Sequence, residues 1–112
     1  MAAADVDTAV ALLADDVVFH SPVVHAAYHG AVPVAAILRA VAVVFEDFAY
    51  GATYVGADGA VLVFSARVGD RSLEGVDILR VEGDRIVELT VMVRPLSAAR
   101  ALQERMAALL GG

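Results

Sequence analysis

The sequence predicts an α+β domain in which helices pack against a curved antiparallel sheet. Three observations carry this. Helical spacing dominates the first part of the chain. Four strand-like runs then follow one another from about Phe48 to Val93, and turn signals only two to four residues long separate them. Such short connections imply antiparallel hairpins. The 112 residues show no repeat, low-complexity segment or linker, so residues 1–112 are expected to form a single domain with one core.

Each element has its own signal. Ala4 to Ala14 reads as a short helix, with Asp5 or Asp7 near its start and Val6, Ala9, Val10 and Leu13 on one side. Val17 to His20 has the β-branched and aromatic content of a short strand. Ser21 to Gly30 reads as a loop that holds Pro22, His25, Tyr28 and His29. A second helix follows, with Pro33 tolerated in its first turn. Val34, Ile37, Leu38, Val41, Val44 and Phe45 keep helical spacing along it and form a broad apolar stripe. The strands cover about Phe48 to Val55, Ala60 to Val68, Ser72 to Val81 and Ile86 to Val93. Gly56-Ala57-Asp58-Gly59, Gly69-Asp70 and Gly83-Asp84 are the turns between them. Pro95 ends the last strand, and Ser97 is expected to cap a final helix that reaches about Leu110.

Composition narrows the function. Hydrophobic residues make up 60% of the chain and the mean hydropathy is +0.73, yet no membrane span is apparent. The longest apolar stretch, Ala31 to Phe45, is interrupted by Arg39. No signal peptide is apparent either, since the first residues carry no basic region and Asp5 and Asp7 come early. The apolar excess therefore points to a lined cavity or an oligomer interface. A net charge of −6, with eight scattered arginines and no lysine, argues against a nucleic-acid partner. The absence of cysteine excludes disulfides and thiolate metal sites, and a cytoplasmic location is the expectation.

Asp77 is the most informative residue. Along Leu73 to Val81 the alternation of a strand puts Leu73, Gly75, Asp77, Leu79 and Val81 on one face. That face is the apolar one. A carboxyl group there must be paired, be hydrogen-bonded, or take up a proton. The alternative is a structural aspartate bonded to nearby backbone or water.

The run Leu13-Ala14-Asp15-Asp16-Val17-Val18-Phe19-His20-Ser21-Pro22, followed by Gly30 opening a helix, resembles the nuclear transport factor 2-like superfamily. That superfamily includes ketosteroid isomerases and SnoaL-like polyketide cyclases. Glu74 to Val81, then Gly83-Asp84-Arg85-Ile86-Val87, extend the resemblance. It implies a cone-shaped roll (cystatin-like) with a deep apolar pocket, and often a homodimer. It says little about activity, because this fold hosts enzymes, binding modules and adaptors alike. In ketosteroid isomerases a protonated pocket aspartate donates to an oxyanion, and Asp77 falls on that position. Their catalytic base is an aspartate just before a proline, where this chain has Ser21. Their tyrosine donor, early in the first helix, corresponds to a position upstream of Met1. The standard isomerase arrangement is therefore not expected. The late strands of SnoaL-like enzymes often carry His, Asp or Trp, whereas Leu89, Val91 and Val93 are apolar. An epoxide hydrolase pair would need a second aspartate that is not evident.

His20 and His25 flank Ser21 and Pro22 at the expected pocket mouth and are candidate bases. If Ser21 points inward with Phe19, His20 points away unless a bend near Pro22 redirects it. Both histidines are otherwise ordinary surface residues. His20, His25, His29 and Asp77 match no zinc spacing, so no metal and no cofactor are expected. No nucleophile elbow supports a triad of Ser21, a histidine and Asp77. Phe19, Ser21, Ile37, Val44, Phe45, Phe64, Leu79, Leu89 and Val91 are the candidate lining, each of which plain core packing also explains. Glu46-Asp47 and Asp15-Asp16 read as solvated acids.

Two functions remain. One is a pocket protein that binds or acts on an apolar, carbonyl-bearing or cyclic compound, with isomerase-, cyclase- or hydrolase-like proton transfer and Asp77 as acid or hydrogen-bond donor. The other is a non-catalytic ligand-binding or dimerisation module.

Overall fold

A computed structural model describes residues 3–110. The element order is α1 (Ala3–Leu12), β1 (Leu13–His20), β2 (Tyr28–His29), α2 (Ala31–Val44), β3 (Glu46–Val55), β4 (Gly59–Val68), β5 (Arg71–Glu82), β6 (Arg85–Arg94) and α3 (Leu96–Leu110). One curved, open sheet has the order β2-β1-β6-β5-β4-β3, with helices packed against it. The hairpins β3-β4, β4-β5 and β5-β6 are antiparallel as expected, while β1 runs parallel to β6.

Local chemistry explains these joints. The two-residue turns after β4 and β5 place Gly69 and Gly83 at φ +60° and +61°, a region that side chains other than glycine rarely enter. Pro33 sits in the first turn of α2, where no intrahelical partner awaits its missing N–H. The α3 start differs from the expectation. The carbonyl of Pro95, not the Ser97 side chain, accepts from the amides of Ala98 and Ala99 at 3.1 and 3.0 Å. The first helix also ends earlier than its apolar periodicity suggested, because Leu13 and Ala14 join β1. Between Leu13 and Val18 the pairing of β1 with β6 shifts register, and Asp15 and Asp16 turn outward into solvent. Glu46 and Asp47 are exposed but not merely solvated, since Arg67 pairs with both.

The inner face of the sheet holds the core in two clusters. One joins Val44, Phe45, Phe64, Ala66, Val68 and Leu73 to Ala98 and Leu102 of α3. The other joins Leu13, Val17 and Phe19 to Val34 and Ile37 of α2 and to Ile86 and Leu89 of β6. Val41, Val91 and Met106 touch both clusters and mark the space between them. Among the described residues, no helix is long and apolar enough to cross a membrane.

Candidate functional site

The space between the two clusters is a cavity of about 530 Å³. The inner faces of β1, β4, β5 and β6 form its floor, through Phe19, Leu62, Asp77, Leu79, Leu89 and Val91. Ile37, Leu38 and Val41 of α2 form one wall, and Leu102, Gln103, Met106 and Leu110 of α3 another. Ser21, Pro22, Val23, Val24, Tyr28 and the α1 residues Val6 and Ala9 complete the rim.

Asp77 lies in this floor because β5 alternates without a bulge across its pairing with β4. Leu62 and Val91 flank it on the neighbouring strands. Among the described residues it has no hydrogen-bond or ion-pair partner, and its side chain is partly buried. No arginine, lysine or histidine among the described residues lines the cavity. Desolvation without a compensating cation therefore raises its pKa to about 6. The other polar side chains on the wall are Ser21, Tyr28, Tyr50 and Gln103. The Ser21 hydroxyl oxygen already accepts from the amide of Val23 at 3.1 Å, which leaves its proton able to donate inward.

The structure brings most of the expected lining together. Phe19, Ser21, Ile37, Phe45, Leu79, Leu89 and Val91 all face the cavity with Asp77. Val44 and Phe64 do not: both are packed in the α3-side cluster. The Phe64 ring lies over Gly75 and against Phe45 and Phe48, with ring centroids 5.7 and 5.1 Å away. Neither candidate base reaches Asp77. His20 is on the opposite face of the sheet, where its Nε2 lies 2.9 Å from Glu88 Oε2. That contact, followed by the Arg80 hydrogen bond, holds the Glu88 carboxyl below its usual range. His25 is exposed in the loop after β1 and does not line the cavity. No group of three His, Asp or Glu residues is placed to hold a metal ion among the described residues.

The α3 contribution was missed from sequence. Leu102, Met106 and Leu110 recur every four residues, which is the signal of one apolar helix face. Gln103 adjoins that stripe and borders the cavity from an exposed position.

Comparisons with known proteins agree with this architecture. The SnoaL-like domain family matches residues 1–89. A steroid delta-isomerase structure from Pseudomonas aeruginosa is 47% identical, with a TM-score of 0.90, over 95% of this chain and 80% of that one. An uncharacterised bacterial protein with a cystatin-like fold from Silicibacter pomeroyi is 34% identical, with a TM-score of 0.89, over 95% and 76%. A putative SnoaL-like polyketide cyclase from Shewanella putrefaciens shares the fold at 12% identity and a TM-score of 0.64, over 94% and 77%. No curated protein matches the chain.

Proposed function

This chain belongs to the SnoaL-like domain family, and we propose that its cavity receives an apolar, ring-shaped, carbonyl-bearing compound whose oxygen accepts a hydrogen bond from neutral Asp77. The observation that carries the reading is an acid without a cationic partner on the floor of a roomy apolar cavity. Similarity to a steroid delta-isomerase and to a putative polyketide cyclase supports a ring compound and an isomerase- or cyclase-type pocket.

The chemistry follows from what the wall offers. A neutral carboxyl donates its O–H to a carbonyl oxygen and polarises it. The bond strengthens as negative charge develops on that oxygen, so an enolate-like form is favoured over the ketone. A carbon-bound proton must also be removed for isomerisation. The described wall supplies no histidine or second carboxylate for that step. The site is therefore complete for binding and polarisation, and a base would have to come from solvent or from the ligand itself. A purely structural role for Asp77 is the competing reading.

A thermal-shift comparison tests this. A fused-ring phenol is expected to raise the melting temperature more than the saturated alcohol of the same frame, because only the phenol approaches an enolate-like oxygen. If neither ligand moves the melting temperature, the structural reading of Asp77 holds instead.

The outer face of the sheet supports a second proposal, a two-fold homodimer. Val63, Val76 and Ile78 are only half-buried there, and Met92 is 56% exposed. The salt bridge between Glu74 and Arg94 borders this apolar area. Such a face is commonly covered by a second copy. Light scattering at micromolar concentration is expected to return twice the monomer mass; the monomer mass itself would remove the dimer.

A further inference from the structure

We propose that the cavity is also a site for apolar monocationic amines, with the ammonium group held on the Asp77 carboxylate. The inference rests on the reading that the cavity admits ligands, and it adds a second chemical class to the carbonyl compounds.

The geometry carries it. Among the described residues, Asp77 has no ion-pair or hydrogen-bond partner and no cation lines the cavity. Among the described side chains, its surroundings are as follows. Leu62 of β4 and Val91 of β6 flank it. Ser21 after β1, Tyr28 of β2, Tyr50 of β3 and Gln103 of α3 are the other polar wall residues, while the described side chains that α1 and α2 place on the wall are apolar. The two tyrosines are the only other titratable groups on the described wall. The nearest arginines on β5 and β6, Arg80 and Arg94, are engaged on the opposite face with Glu88, Glu82 and Glu74. Once ionised, Asp77 is thus an unneutralised charge in apolar surroundings, and an organic cation removes that cost while its hydrocarbon part fills the cavity. Aromatic rings on the wall add attraction for an ammonium group.

The two ligand classes then respond oppositely to pH. Burial raises Asp77 to about 6. A carbonyl ligand needs the neutral acid, so its affinity falls about tenfold per pH unit above that value. An amine needs the carboxylate, so its affinity rises about tenfold per unit up to that value and then levels until the amine itself loses its proton.

Calorimetry with a matched pair, 2-tetralone and 2-aminotetralin, tests this on the full chain at about pH 5 and about pH 8. The amine is expected to bind about tenfold tighter at the higher pH, and the ketone up to about a hundredfold weaker. Asp77→Asn should lose the amine by about tenfold or more while still binding the ketone, because an amide remains a donor. Retained ketone binding shows that the variant's cavity is intact. Ketone binding with no amine binding, or with amine affinity indifferent to pH and to Asp77→Asn, would overturn the amine site and leave the carbonyl reading standing. If neither compound binds the parent protein, both readings fall.

Discussion

Phe64→Ala is expected to lower folding stability by about 3–5 kcal/mol, the range for removing a buried aromatic ring. Phe64 is 2% exposed and packs against Phe45 and Phe48. Its ring also covers Gly75, which faces it across the β4-β5 pairing. Urea denaturation should show a lower midpoint with an unchanged slope. A loss below about 1 kcal/mol would show that the ring is replaceable by rearrangement of its neighbours. Gly75→Ala probes the same contact from the other side. A methyl group there would meet the Phe64 ring and lie 2.7 Å from the Met92 carbonyl oxygen, so overpacking should cost about 1–3 kcal/mol. The double variant should lose less than the sum, because removing the ring makes room for the methyl.

The second large effect is the pH dependence of Asp77→Asn. The folded pKa of Asp77 is about 6, raised from an ordinary value of 3.8. Below the ordinary value the acid is neutral in both folded and unfolded chains and costs nothing. Between the two values the unfolded chain ionises first, so stability declines as pH rises. Above about 6 the penalty is constant, on the order of 2–3 kcal/mol at about 1.4 kcal/mol per unit, and lower if water enters the cavity. Asparagine never ionises and escapes this. The variant and parent should be similar near pH 3.5, and the variant should be the more stable by that amount near pH 7.5. Parallel stability curves across this window would contradict an unpaired acid. Asp77→Leu should also be stable at neutral pH, but it should lose carbonyl ligands about tenfold or more, since it leaves no donor.

Hairpins and strand faces were legible in the sequence because their determinants are local. Gly69-Asp70 and Gly83-Asp84 set two turns, and strict alternation through Leu73 to Leu79 put Asp77 on the inner face. Features that depend on distant partners were not legible. Leu13 begins β1 because it pairs with Ile86 of β6, which helical periodicity does not reveal. His20 is held by Glu88, 68 residues away in the chain. Nor does apolar character separate a packed ring from a cavity wall. Phe45 and Phe64 are equally apolar and equally regular in their patterns, yet Phe45 reaches the cavity and Phe64 does not. Gln103 is exposed on α3, and it borders the cavity only because that helix lies across the sheet.

Both proposed ligand classes depend on Asp77 being an unpaired acid on the floor of an apolar cavity. A carboxyl-carbon NMR titration reads the protonation of Asp77 at the residue itself. The midpoint is expected near 6, moved upward by a bound carbonyl ligand and downward by a bound amine. A midpoint at or below about 3.9, the value of a free aspartate, would mean that a cation or strong donors stabilise the carboxylate, and Asp77 would not be unpaired.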